Sequence, residues 1–210
     1  MTEATSFAAR LIWRWLTIFW VIGKCQGQTN APPEFLVGGN MDKFSLREDT
    51  PVGASVYTLR AIDPEHTKVS YYISGGTFSV NKDTGVVRLT RPLDREEEST
   101  VDVIISITDE KIQGQKANTV SLQREVNILD YNDNPPVFEN GPYTFHVDED
   151  TQVGTTLYRN IVVTDDDLGI NADVEVTCQR NLTPVACDLF DLNQVRLGMG
   201  RFIQEITLKN

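Results

Sequence analysis

Leu129-Asp130-Tyr131-Asn132-Asp133-Asn134-Pro135-Pro136-Val137-Phe138-Glu139-Asn140-Gly141 gathers two carboxylates and two side-chain amides between positions 130 and 134. Two prolines follow, and apolar residues return at Val137-Phe138. Pro135 and Pro136 hold φ near about −65° and push Asn134 toward an extended conformation, so the run is presented straight. Oxygen donors at this density suit a hard cation of the calcium type, which takes about six to eight oxygens from carboxylates, amides and backbone carbonyls. Metals that prefer thiolate or imidazole would need Cys or His, and neither is near. An acidic turn between two strands has the same composition, so the surrounding chain must distinguish a ligand-bearing linker from a plain turn.

Outward from this stretch the chain repeats itself. Pro32-Pro33-Glu34-Phe35 returns as Pro135-Pro136-Val137-Phe138, Glu48-Asp49-Thr50-Pro51-Val52-Gly53 returns as Glu149-Asp150-Thr151-Gln152-Val153-Gly154, and Ile62-Asp63-Pro64-Glu65 returns as Thr164-Asp165-Asp166-Asp167. Two tandem copies of one unit are expected, residues 28–136 and 137–210, with Asn132 to Pro136 as the joint. The second copy lacks counterparts of Leu93-Asp94-Arg95-Glu96 and of Thr108-Asp109. It is therefore expected to be incomplete, the front of a longer protein, with a poorly specified tail after Cys187.

Inside the first copy, Val101, Val103, Ile105 and Ile107 alternate with Asp102, Ile104, Ser106 and Thr108, and Val126 and Ile128 continue the pattern. A period of two is that of half-buried strands. Turn signals at Thr50-Pro51-Val52-Gly53, Asp63-Pro64, Ser74-Gly75-Gly76, Lys82-Asp83-Thr84-Gly85 and Arg91-Pro92 separate such runs. Beyond the first 27 residues no stretch keeps a helical apolar period for three turns. Short strands with frequent turns in a unit of this size predict an all-β antiparallel sandwich.

Residues 1–27 differ. Arg10 and Arg14 flank and interrupt an apolar stretch, Leu11 to Gly23, too short to span a bilayer but suited to a signal peptide cut before Gln28. An uncleaved signal anchor is the alternative; either way the chain is expected to be exported. Cleavage removes Arg10, Arg14 and Lys24 against Glu3, moving the formal charge from −11 to −13. Nucleic acid and anionic membranes are then poor partners. All three tryptophans, Trp13, Trp15 and Trp20, leave with the leader. Cys178 and Cys187 remain as an even pair, which in an exported chain points to a disulfide, with two buried free thiols as the alternative. Asn181-Leu182-Thr183 is a glycosylation triplet followed by Pro184.

Arg47-Glu48-Asp49, Leu93-Asp94-Arg95-Glu96, Asp130-Tyr131-Asn132-Asp133-Asn134 and Asp165-Asp166-Asp167-Leu168-Gly169-Ile170-Asn171 occur in the order and at the spacing of cadherin extracellular repeats. Over almost its whole length beyond residue 27, the chain resembles the cadherin superfamily, in its non-classical, protocadherin-like branch. The resemblance implies tandem Greek-key β-sandwiches of immunoglobulin-like form, the second truncated, with about three calcium ions at the junction. Glu48 and Glu96 would bridge the two inner ions, with Asp94 on the outer face of the first and Asp133 shared between them. Asp130 and the carbonyl of Tyr131 would complete the second ion. Asn132, the carbonyl of Asn134, Asp165, Asp167 and the carbonyl of Asn171 would hold the third.

Electrostatics supports this apart from the resemblance. Seven carboxylates from separated segments (Glu48, Asp94, Glu96, Asp130, Asp133, Asp165, Asp167) would meet at one end of the sandwich. Each like-charged pair at about 4 Å costs about 4 kcal/mol at an effective dielectric near 20. An EF-hand reading of Asp165-x-Asp167 fails because position twelve would be Val176 instead of Glu. At the front of the first repeat, Asp63, Glu65 and Asp109 occupy positions equivalent to the third ion's cage, with Asn30 and Ala31 where the joint has Asp133 and Asn134. Two readings stand for this tip: an acidic turn left by repeat duplication, or a site for one more ion.

The implied function is calcium-dependent cell–cell adhesion by an extracellular region, tethered to the plasma membrane in the full-length form, with another cadherin ectodomain as partner. A secreted soluble form, or a structural link without adhesion of its own, is the alternative. Cadherins that swap a Trp-anchored N-terminal strand are a poor template, because no Trp remains after residue 27. No catalysis and no small-molecule substrate are expected. His66 and His146 have no nucleophile or ligand partner at a telling spacing, and the paired carboxylates suit a cation better than acid–base work.

Overall fold

The computed structural model describes residues 29–112, 114–179 and 184–209. The expected leader, the cut before Gln28 and the triplet at Asn181 lie outside the described residues. In chain order the strands are β1 (Glu34–Phe35), β2 (Ser45–Arg47), β3 (Ser55–Thr58), β4 (Ala61–Ile62), β5 (Ser70–Ser74), β6 (Phe78–Val80), β7 (Val86–Leu89), β8 (Thr100–Thr108), β9 (Thr119–Leu129), β10 (Val137–Glu139) and β11 (Thr156–Thr164). A short helix α1 (Pro184–Leu189) then precedes β12 (Phe190–Gly198) and β13 (Arg201–Leu208).

The first unit is a sandwich of two sheets, β2-β9-β8-β5 and β3-β7-β6, with the pair β1-β4 beside them. β8 and β9 run antiparallel from Thr100↔Asn127 to Thr108↔Thr119. The alternation expected of β8 holds: Val101, Val103, Ile105 and Ile107 are buried, as are Val126 and Ile128 on β9. They pack on Met41, Leu59, Phe78, Val87 and Leu89 of the other layer and its loops. Each such side chain contributes about 1.5–3 kcal/mol on burial. β2 joins β9 in parallel register, Ser45↔Asn127 to Arg47↔Leu129. That pairing carries the chain from β2 to the same end of the sandwich at which β9 enters the joint.

The second unit is a sheet in the order β10-β11-β13-β12. The tail after Cys187, expected to be poorly specified, instead forms a hairpin from Phe190↔Leu208 to Gly198↔Arg201, with a register shift between Arg196 and Gly198. Its pattern was hard to read because Val195, Leu197 and Met199 face outward, while a polar residue, Gln204, is buried beside Phe202. Among the described residues one short helix occurs, under two turns long, and the all-β expectation stands. Pro184 opens a single helical turn and a half, a position that tolerates its missing N–H and is too short to show a helical period. Phe145 is half-buried, meeting Tyr158 and Phe190, whereas Val147, on the same alternation, is exposed. Among the described residues no helix is long and apolar enough to cross a membrane.

Cys178 and Cys187 are joined as a disulfide with a Cα–Cα distance of 5.6 Å, tying α1 to the segment that follows β11. Closing a loop with a sequence separation of 9 removes unfolded-state freedom equivalent to about 2.5 kcal/mol. Replacing both cysteines with serine is expected to lower stability by about that much in urea melts, with no change in the first repeat's transition. Equal stability of the double variant and the parent would contradict the expectation.

Candidate metal centre at the joint

Backbone pairing builds this site before any side chain does. The Glu48 N–H donates to the Leu129 carbonyl at 3.1 Å, extending the β2–β9 pairing by one residue and setting Glu48 beside Asp130. The Glu48 carboxylate is buried and accepts two backbone N–H groups, that of Tyr131 on Oε1 and that of Arg95 on Oε2, each at 2.6 Å. One side chain therefore fastens the end of β2, the Leu93–Glu96 loop and the joint together. Asp94 turns its own loop, its Oδ1 accepting the Glu97 N–H at 3.1 Å and its carbonyl accepting the Glu98 N–H at 2.9 Å.

Across the joint, β11 ends at Thr164 and the next residue docks on the β12–β13 turn, the Asp165 N–H donating to the Gly200 carbonyl at 2.7 Å. Asp165 Oδ1 then accepts the Asp167 N–H at 3.0 Å. Asp167 is 2% exposed. Its Oδ1 accepts from the Asn134 amide at 3.0 Å, and its Oδ2 is buried with no hydrogen-bond partner. The Asn132 amide reaches the Asn171 carbonyl at 3.4 Å, while Asp130 Oδ2 accepts the Leu168 N–H at 3.0 Å and the Asn171 amide at 2.8 Å.

Two trios of carboxylates result, Glu48-Asp94-Glu96 and Glu96-Asp130-Asp167, each with one oxygen per residue within 4.8 Å of the others. Glu96 belongs to both. Asp133 lies close enough to be held above the usual carboxylate range, first by partial desolvation and then by the charges of Glu48, Asp167 and Asp94. Glu96 is pushed the same way, chiefly by burial and also by Glu48. Burial acts on Asp130 too, but hydrogen bonds from Asn171 and Leu168 and the guanidinium of Arg95 together hold it below that range. The Tyr131 ring lies 5.0 Å from the Arg47 guanidinium. Asp165 is buried beside the second trio without belonging to it.

The residue that sequence reasoning passed over is Arg95. Its side chain lies among the carboxylates, with Nε donating to Asp130 at 2.5 Å and Nη2 donating to Glu96 and, at 2.8 Å, to the Asp166 carbonyl of the second repeat. The sequence signal was slight, a single basic residue between Asp94 and Glu96. Around it the donors are all oxygen, and a buried carboxylate oxygen of Asp167 stands without a partner. That donor set fits a hard divalent cation and not a thiolate- or imidazole-seeking one.

At the tip, Asp63 and Asp109 are buried. Asp63 Oδ2 accepts the Thr67 N–H and hydroxyl at 2.9 and 3.0 Å, while Asp63 Oδ1 and Asn30 Oδ1 are buried without partners. Glu65 accepts the Ala31 N–H at 3.2 Å. The Asn118 amide bonds Asp109 Oδ2 at 2.9 Å and the carbonyls of Asn30 and Ala31 at 3.0 and 3.3 Å. Among the described residues Asp63, Glu65 and Asp109 do not converge to within 4.8 Å as the joint trios do.

The Cadherin domain family model matches residues 42–129. Cadherin-87A of Drosophila melanogaster is 38% identical over 176 residues, covering 81% of this chain and 9% of that protein. Human cadherin-related family member 1 is 37% identical over 175 residues, covering 78% of this chain and 20% of that protein. The chain thus spans a fifth or less of the length of these curated relatives. The crystal structure of human protocadherin-24 EC1-2, form II, superposes with a TM-score of 0.65 at 30% identity, covering 86% of this chain and 80% of that one. Identity and coverage of that order extend beyond one repeat and through the joint, and this chain belongs to the cadherin superfamily, with protocadherin-like domains.

Proposed function

We propose that this chain is a calcium-stiffened cadherin ectodomain segment whose two repeats, residues 28–136 and 137–210, follow a signal peptide at 1–27 and take part in calcium-dependent adhesion between cell surfaces. The observation that carries this reading is the meeting of both carboxylate trios at the joint, with Glu96 common to the two. Glu48, Asp94, Glu96, Asp130 and Asp133, with the carbonyl of Tyr131, would hold two ions. Asn132, Asn134, Asp165, Asp167 and Asn171 would hold a third. When bound there, calcium would supply divalent charge against the mutual repulsion of these carboxylates. The protein's part is to bring the donors together: Glu48 by its two backbone anchors, Asp165 and Asp167 by the hold of the β12–β13 turn. The partner is another cadherin ectodomain, and the place of action is outside the cell.

Beads coated with the full-length ectodomain are expected to aggregate in millimolar calcium and to disperse in chelator. Calcium-independent aggregation, or none in either condition while the joint still binds calcium, would remove adhesion from the reading. At the tip we assign a further ion to Asp63, Glu65 and Asp109, supported by the partnerless buried oxygens of Asp63 and Asn30. Calcium titration of Asp63→Ala is then expected to lose one ion per chain and to leave the joint's ions in place. An unchanged stoichiometry would show the tip to be a plain acidic turn.

A further inference from the structure

We propose that Arg95 is the resident counter-cation of the joint and that calcium enters by displacing its guanidinium. The inference rests on the calcium reading above and adds what the joint does without the metal. Nε holds Asp130 and Nη2 holds Glu96, so one planar group occupies oxygens from both members of the second trio that lie in the first repeat. The same Nη2 crosses to the Asp166 carbonyl, a bond between the repeats. The side chain is only 10% exposed, with Glu96 at 20% and Asp130 at 13%. At this packing an oxygen that faces a guanidinium at hydrogen-bond distance cannot also coordinate a metal ion along the same direction. Guanidinium and calcium are alternative occupants of these carboxylates.

Two features suit Arg95 to leaving. Its backbone N–H is anchored separately on Glu48 Oε2, so the side chain can swing out by its own torsions while the ligand loop stays in place. Among the described residues, the basic group at the end of β2, Arg47, is committed to Asp49 and does not compete for the position. A flat fork with several N–H donors spans three oxygens on two repeats, whereas the point charge of a lysine cannot. In low calcium this fork would add to the hydrogen bonds of Asn134 with Asp167, of Asn132 with Asn171 and of Asp130 with Leu168 and Asn171, and the joint would be oriented but weakly tethered. In high calcium the ions would replace it, and the affinity measured would be the difference between the two.

The test uses the full chain, Arg95→Gln and Arg95→Lys, in calcium titration calorimetry at constant ionic strength and in X-ray scattering with chelator. Arg95→Gln removes three charge-assisted bonds, two to carboxylates and one to the Asp166 carbonyl, and is expected to lower the calcium midpoint about fivefold to tenfold; without calcium it should show a wider spread of inter-repeat distances than the parent. Arg95→Lys, which keeps the charge and loses the fork, is expected to behave like Arg95→Gln. Equal midpoints and equal chelator scattering in all three proteins would overturn the role of Arg95 alone. A lysine variant indistinguishable from the parent would overturn the fork and leave only distant charge. No saturable heat in the parent would overturn the calcium reading itself, and displacement with it. Circular dichroism shows each variant folded, and if Arg95→Gln is not, the lysine variant decides.

Discussion

In millimolar calcium the chain is expected to melt about 10 °C higher than in chelator, and Glu96→Ala is expected to lose most of that rise. Extracellular calcium modules bind at about 10⁻⁴ to 10⁻³ M. A site held at about ten times its dissociation constant gains about 1.4 kcal/mol, and three such sites gain about 4 kcal/mol. For a chain of this size each kcal/mol moves the midpoint by about 2–4 °C. Glu96 is the side chain to remove because it belongs to both trios, so its loss weakens two sites at once. Glu48 would give a less readable result. Its carboxylate also receives the N–H groups of Tyr131 and Arg95, and truncating it leaves those amides unsatisfied and costs folding stability whatever the metal does. Scanning calorimetry with and without calcium reads the difference directly. A full rise in Glu96→Ala, or none in the parent, would refute the assignment of the joint as the calcium site.

How much of this was legible in the sequence depends on whether a residue acts through its own type or through its neighbours. Val101, Val103, Ile105 and Ile107 announce a half-buried strand by period alone, and the strand is there. The acidic residues of the joint announce a hard cation by type, and most of them meet. Arg95 carried no such signal. Its position follows from the parallel pairing of β2 with β9, which sets Glu48 under the Arg95 backbone and Asp130 beside its side chain. The β12–β13 hairpin was missed for a related reason. Its buried members include Gln204 and its outward members include Val195, Leu197 and Met199, so polarity did not mark which way the side chains face. Gly200 carries no side chain by which a sequence could mark it, yet its carbonyl is the contact on which the second repeat's acidic segment rests.

Gly200→Ala is therefore expected to destabilise the chain by about 3 kcal/mol or more and to weaken calcium binding as well. Gly200 has φ +62, and a Cβ built there would lie 1.9 Å from the Asp165 carbonyl oxygen and 3.1 Å from its carbon. Backbone atoms cannot yield as a flexible side-chain end does, so either the turn or the Asp165 segment must move. The left-handed conformation costs a non-glycine residue about 1–2 kcal/mol, and forced displacement in a packed site adds about 1–3 kcal/mol. Movement of Asp165 breaks its N–H bond to the Gly200 carbonyl and carries Asp167 with it, since the Asp167 N–H is held by Asp165 Oδ1. Gly154→Ala is the control. Its φ is +86 with nothing within 4 Å of the built Cβ, so it carries the conformational cost without the collision. Urea melts in chelator should rank Gly200→Ala well below Gly154→Ala, and calcium titration should show a raised midpoint only in the former. Equal losses in the two variants, with equal midpoints, would mean that the turn does not position the acidic segment.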